Sequence, residues 1–337
     1  MRVTRNLLLE TARNHVKSQT LNNPDIACVF LVGSLLSDNP FIGENTDIDL
    51  VFIHNTEPAA PREVIPMGDE FNLDILHFPR RIFNQPKTLR EDPWLGCLFC
   101  EKPFVLYDSY HFYDFLRAGV YSNFFSPTYA YARSQYFYIR ARKRWMDLHQ
   151  AEQGKNFSVS FVFAYLQTLY DAANTIACLT GKPIPERRFL TTLEAITTYL
   201  GRPGLASGMR DLFAPTNYDL IDWQDLHQQL TIIFSILSDK SYCPPQYAPA
   251  RVNYYLGAAS YYQVERFDES IWILLWVWTN IMQMLPKRSP EVRGWKDFCE
   301  QLNFSRDSIP LKLQQLDIYL DAVDETCGEW GKVSGLL

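Results

Sequence analysis

The sequence predicts an α+β protein, with a small mixed β-sheet in its N-terminal part followed by an all-α helical bundle. Three observations predict it. Short apolar runs of strand length, separated by turn residues, fill the first third of the chain. From about Thr128 onward the pattern changes to long segments of helical periodicity. At 337 residues the chain is long enough for two hydrophobic cores rather than one, and no internal repeat or low-complexity tract interrupts it. The expected division is 1–120 for the first domain and 121–337 for the helical one.

Residues 4 to 21 set Leu7, Leu8, Ala12 and Val16 near helical spacing among polar residues. That is an amphipathic first helix, stopped by Asn22-Asn23-Pro24. Ala27 to Val32, Ile48 to Ile53, Leu73 to Phe78 and Phe104 to Tyr107 are rich in Val, Ile, Leu and Phe and read as strands. The boundary falls near residues 115 to 128, around Ser122-Asn-Phe-Phe-Ser-Pro. An aromatic and basic helix follows. Phe157 to Thr180 stops at Gly181-Lys-Pro, and Pro185 to Leu200 stops at Gly201-Arg-Pro, both C-terminal helix signals. Further helices are expected over 219–238, 249–264, 268–285, 290–302 and 309–326.

Composition narrows the classes. Forty-seven per cent hydrophobic and 21 per cent charged residues is globular composition. A net charge of −6 argues against general affinity for nucleic acid, which needs excess Lys and Arg to meet phosphates. The longest apolar run, Ile271 to Leu285, contains Thr279, Asn280 and Gln283 and is shorter than the roughly 20 residues a bilayer crossing requires. No membrane association is expected from it. The polar start MRVTRN and seven scattered cysteines suggest a cytoplasmic protein with reduced thiols. Cys97 and Cys100 form one C-x-x-C, but no second pair stands at zinc-site spacing.

The informative stretch is FLVGSLLSDNPFIGENTDIDLVFI, followed by FNLDILHF. Gly33-Ser34 comes directly after a strand-like run and before a short helical turn. Exposed backbone N–H groups there can cradle phosphate oxygens, and glycine permits close approach. Asp47 and Asp49 are two residues apart at the start of a strand, so both carboxylates project from one face. Asp74 lies inside another strand and would meet them if the strands are neighbours. Each motif alone is common: a lone Asp-x-Asp is usually a turn or a cap. Their order, and an Asp inside the apolar LDIL, favour a site, because an unpaired carboxylate is costly to bury. Converging carboxylates resist burial without a cation. Hard oxygens without His or Cys suit Mg²⁺ or Mn²⁺.

These residues resemble the pattern of the nucleotidyltransferase superfamily typified by DNA polymerase beta: Gly-Ser, Asp-x-Asp and a third carboxylate on a nearby strand. The resemblance covers roughly residues 25 to 110, and with a helical second half the layout looks like that of the aminoglycoside nucleotidyltransferases and related bacterial proteins. It implies that Gly33 and Ser34 contact the triphosphate. It further implies that Asp47 and Asp49 ligate metal, and that Asp74 ligates the catalytic metal or acts as base. One departure is visible: the connection from Gly-Ser to Asp-x-Asp is longer than usual and carries Leu35, Leu36 and Ser37 where many relatives carry Arg-Gly.

The implied reaction transfers NMP, with ATP the expected donor, to a hydroxyl of a small-molecule acceptor such as an aminoglycoside-like compound, releasing pyrophosphate. Its partners are therefore a nucleoside triphosphate and an acceptor. A protein or RNA acceptor and a non-catalytic nucleotide-binding module are the alternatives. Arg80, after the third strand, is the expected triphosphate cation, with Arg81 beside it and Arg140, Arg142, Lys143 and Arg144 as a second group. Arg144 and His149 also match the Arg-x-x-x-x-His motif of HEPN ribonucleases, a pattern that arises often by chance. Glu265, Asp268 and Glu269 form a candidate acidic cluster, for which a helix-to-helix turn is the simpler account.

Overall fold

The structure, a computed structural model, describes residues 3–68, 70–152, 157–214, 221–237, 243–286 and 289–337. The chain forms two compact units. One comprises Met1–Phe125 together with Leu237–Tyr261, and the other Ser126–Ile236 with Tyr262–Leu337. The chain is α+β with a small mixed sheet.

In the first unit, α1 (Arg5–Thr20) is capped by the Thr4 hydroxyl, which accepts from Leu7 N. It leads into β1 (Ile26–Val32), β2 (Thr46–His54), β3 (Arg62–Pro66), β4 (Phe71–Pro79) and β5 (Val105–Asp108), with α2 (Pro86–Glu91) between β4 and β5 and α3 (Phe112–Phe124) after β5. The strand order is β3-β4-β2-β1-β5, and only β2 and β4 run parallel.

Alternation along the strands divides the core into two layers. Ile48, Leu50 and Phe52 of β2, with Leu73 and Ile75 of β4, face Leu8, Ala12 and Val16 of α1. Val51 and Ile53, with Leu76 and Phe78, turn to the other layer and pack with Tyr113, Leu116, Val120 and Phe124 of α3. A continuous apolar strand is therefore buried on both faces. Gly96 closes this second layer. A Cβ there would overlap the Leu89 carbonyl oxygen and stand 2.6 Å from the Phe124 ring.

The second part of this unit is a run of short 3₁₀ turns, Pro245–Tyr247 and Pro249–Arg251, leading into α9 (Val252–Tyr262). Proline at the first positions fixes the backbone where no amide donor is needed. The Tyr255 hydroxyl donates to Gln246 O at 3.1 Å and holds the two turns to the helix. Gly257 packs on Asn45, where a Cβ would overlap the amide nitrogen. Helix α9 is thereby seated on the Ile42–Asn45 turn that precedes β2.

The other unit is helical: α4 (Pro127–Glu152), α5 (Val159–Thr180), α6 (Phe189–Tyr199), α7 (Gly204–Phe213) and α8 (Trp223–Leu237) precede α9. After it come α10 (Phe267–Met282), α11 (Val292–Gln301) and α12 (Ile309–Val333). Helix α5 is buried along nearly its whole length, and Trp272 of α10 stacks on Phe189 at 3.8 Å between centroids. Among the described residues no helix is long and apolar enough to cross a membrane. All seven cysteines are free thiols. Of the helix expected over 219–238, residues 219, 220 and 238 lie outside the described residues.

Candidate active site

The parallel register of β2 and β4 sets Asp47 opposite Asn72 and Asp49 opposite Asp74. Strand alternation then puts Asp47, Asp49 and Asp74 on one face of the sheet, continuous with Val51, Ile53 and Leu76. The face changes from apolar to acidic toward the N-terminal ends of both strands. Asp47 is 1 % exposed and Asp74 4 %. Both are inside the protein, where a bare carboxylate is not tolerated.

Two arginines supply the charge. Arg62 of β3 forks onto Asp74, donating Nε to Oδ1 at 2.8 Å and Nη2 to Oδ2 at 2.6 Å. Val64 is the register partner of Asp74, so Arg62, two residues away, shares its face. Arg251, from the turn before α9, lies between Asp47 and Asp74. Its Nη2 is 2.9 Å from Asp47 Oδ2, a close ion pair rather than an aligned hydrogen bond, and its Nη1 donates to Asp74 Oδ2. Asn72 Nδ2 donates to the other Asp47 oxygen at 3.3 Å. Burial by itself would raise the Asp74 carboxyl. The Arg62 hydrogen bonds and the charges of Arg251 and Arg62 outweigh it and hold Asp74 below the ordinary carboxylate range.

Gly33 follows β1 directly, with φ 77° and ψ −155°, a conformation glycine adopts without strain. Val32 is the register partner of Asp49, and a Cβ on Gly33 would overlap the Asp49 carboxylate. The loop and the acidic face thus meet at this one point. Ser34 opens a 3₁₀ turn, Ser34–Leu36. Thr46 donates its hydroxyl to Pro40 O at 3.1 Å, so the 3.1 Å contact between Ser34 Oγ and Thr46 Oγ1 has Ser34 as donor. The Ser34 proton is engaged with the start of β2. Arg5 of α1 holds the same turn from outside, donating Nε and Nη2 to Leu35 O at 3.1 and 2.9 Å. Leu35, in the longer connection, is fully buried and anchors the loop in the α1 layer.

The donor chemistry of the three aspartates suits a hard divalent cation, but their arrangement does not accommodate one as it stands. Both oxygens of Asp74 face guanidinium groups, and one oxygen of Asp47 does as well. Among the described residues no three His, Cys, Asp or Glu side chains are gathered to hold a metal ion. A cation at Asp47 and Asp74 requires Arg251 to move.

The other expected residues sit elsewhere. Arg80 follows the far end of β4, six residues beyond Asp74 and so roughly 20 Å along the strand. Its guanidinium covers the Phe112 ring at 4.9 Å. Because β2 and β4 run parallel, a cation after either strand lies at the end opposite the aspartates. Arg81 pairs with Glu57 at 2.8 Å. Arg144 donates to Asp171 at 2.7 Å, and His149 stacks on Trp145. Asp268 pairs with Arg210, and Glu269 accepts from the Leu190 and Thr191 amides at the start of α6. That acidic cluster is structural. Reasoning from sequence missed Arg62 and Arg251. The alternation of β3 could have marked Arg62, whereas nothing local marks Arg251.

No protein-family model matches the chain, and no curated protein matches it. Among solved structures it is similar to a nucleotidyltransferase-like protein from Exiguobacterium sibiricum 255-15, at 10% identity and a TM-score of 0.34, over 88% of this chain and 90% of that one.

Proposed function

We propose that this protein is a nucleotidyltransferase, moving NMP from a nucleoside triphosphate to a hydroxyl of a small-molecule acceptor. The observation that carries the reading is the β2–β4 register. It sets Asp49 beside Asp74, with Asp47 on the same face and the Gly33 backbone against Asp49. A sheet stabilised only by packing has no need of three aspartates there, and burying Asp47 and Asp74 has demanded two arginines.

In the reaction the acceptor oxygen bonds to the α-phosphorus, the bond to the bridging oxygen breaks, and that electron pair leaves with pyrophosphate. The acceptor proton passes to the carboxylate face. Catalysis of this kind rests on positioning and charge complementarity. Gly33 lets the backbone approach the phosphates closely, and Arg62 and Arg251 are guanidinium groups suited to phosphate oxygens. ATP is the proposed donor. An aminoglycoside-like acceptor fits the acidic net charge of −6, which favours a polycation over nucleic acid. Mg²⁺ or Mn²⁺ is the cofactor that three hard carboxylates call for, and Asp47, Asp49 and Asp74 would hold it only with Arg251 displaced.

A second reading, a nucleotide-binding module without turnover, is favoured by the same Arg251 bridge. The deciding experiment measures pyrophosphate from ATP with a panel of hydroxyl acceptors, wild type against Asp49→Ala. Transfer predicts release that falls at least about 10²-fold in the variant. ATP binding with no pyrophosphate from any acceptor would leave the binding module.

A further inference from the structure

We infer that Arg251 is an internal counter-ion of the aspartate face, holding Asp47 and Asp74 in the place a divalent cation would take and competing with it. The geometry is that of a bridging cation. One guanidinium contacts carboxylates from two different strands, Nη2 on Asp47 at 2.9 Å and Nη1 on Asp74, with the side chain 2 % exposed. Arg62 already satisfies both oxygens of Asp74. Arg251 therefore adds a charge that Asp74 does not need for hydrogen bonding, and it supplies the close cation of Asp47.

The opposite side of Arg251 is built to let it go. Among the described residues its buried Nε has no hydrogen-bond partner. Its plane lies over the Tyr254 ring, 4.0 Å from the centroid, with Tyr255 at 5.7 Å. An aromatic face attracts a guanidinium from any in-plane orientation, so it holds the group without fixing its direction. The buried orphan nitrogen is a standing cost that a new acceptor would relieve. A triphosphate entering beside the carboxylates brings such acceptors, since Arg pairs with phosphate as readily as with carboxylate.

Metal and triphosphate are then linked through one side chain. A divalent cation alone must displace Arg251 from both carboxylates, leaving its guanidinium with the Tyr254 and Tyr255 rings. A triphosphate alone meets three aspartates. Together, the cation takes the carboxylates and Arg251 turns to the phosphate, so each raises the affinity for the other. This rests on the proposed nucleotidyl-transfer site, but it is a statement about binding and is tested without turnover.

Mn²⁺ binding is followed by electron paramagnetic resonance on the full chain, for wild type, Arg251→Met and Arg251→Lys, each with and without a non-hydrolysable ATP analogue. Wild type is expected to bind Mn²⁺ at least about tenfold more tightly with the analogue than without it. Arg251→Met removes the competing charge and is expected to bind Mn²⁺ alone at least about tenfold more tightly than wild type, with most of the synergy lost. Its melting temperature should rise with Mn²⁺ by more than that of wild type, because the metal replaces the missing charge. If Arg251→Met does not fold, Arg251→Lys, too short to bridge both carboxylates, is expected to show the same tightening in smaller measure. Unchanged Mn²⁺ affinity in the folded variants overturns the inference. Tighter Mn²⁺ binding with no pyrophosphate from any acceptor keeps it and removes the transfer reading. Turnover with unchanged Mn²⁺ affinity does the reverse.

Discussion

Gly33 and Asp49 touch across the end of the sheet, so closely that a methyl group on Gly33 would overlap the carboxylate and stand 2.8 Å from its carbon. Gly33→Ala therefore meets two penalties, the clash and a positive φ of 77°. With ψ −155° this is an essentially glycine-only region, and the second alone costs about 1–3 kcal/mol. The expected result is a melting temperature lower by several degrees and pyrophosphate release reduced at least about 10²-fold, because the loop must withdraw from the aspartates. Calorimetry and a pyrophosphate assay measure the two separately. Full activity in Gly33→Ala would show that the close approach is not needed.

Arg62 and Arg80 should behave oppositely. Arg62→Gln removes charge from a carboxylate that is 4 % exposed, and the loss of a charged, bidentate interaction is worth about 1.5–3 kcal/mol. Chemical denaturation should report that loss, together with impaired turnover. Arg80→Ala loses a stacking contact with Phe112 at the far end of β4, and its turnover is expected to stay within about threefold of wild type. A large kinetic effect at Arg80 would place the triphosphate at the wrong end of the sheet for this site.

Gly96→Ala tests the layer beneath the site. The added Cβ would overlap the Leu89 carbonyl and stand 2.9 Å from the Asp92 carbonyl, and backbone atoms cannot turn aside as a side chain can. Overpacking against backbone should cost about 3 kcal/mol or more. Thermal unfolding should show the loss, and a neutral outcome would mean that α2 and α3 separate easily.

Glu269 gives the second unit a pH dependence. Burial pushes its carboxyl up to about 7, against hydrogen bonds from Thr191 and Leu190 that lower it, with Asp268 adding a further push upward. The folded state thus holds this proton more tightly than the unfolded chain does. Its contribution is complete below the unfolded value of 4.5 and is lost as pH rises through about 7. Relative to Glu269→Gln, which cannot ionise, wild type should lose roughly 3 kcal/mol of stability between pH 4.5 and 8. Urea denaturation across that range measures it, and parallel curves would refute the shift.

Much of the sheet was legible because strand period and apolar content agree. The run Ile48 to Ile53 is the core of β2 (Thr46–His54), and Leu73 to Phe78 that of β4 (Phe71–Pro79). Asp47, Asp49 and Asp74 could be placed on one face from alternation and a guess of strand neighbours, which the parallel β2–β4 pairing supplies. Edge strand β3 escaped notice, as its five residues are half polar and it pairs with β4 on one side. Helix α3 was hidden under the supposed boundary because its aromatic residues serve the sheet rather than a bundle. The helices of the second half were readable from Gly and Pro stops, though α7, directly after Gly201-Arg202-Pro203, was not. Arg251 had no local signal, since it reaches its partner Asp74 across 177 positions of chain.

That separation matters while the protein is being made. The sheet and its three aspartates are complete by Phe125, but the cation that completes the charge balance of Asp47 and Asp74 arrives only with the segment Leu237–Tyr261. Chains emerge from the ribosome at about 5–20 residues per second, so the first unit waits several seconds with an acidic, half-neutralised face. During that interval it is open to water and to any cation of the cell. The last part of the first unit to be synthesised is thus a late return of the chain, and Arg251 can reach the carboxylates only after the sheet that gathers them has been made.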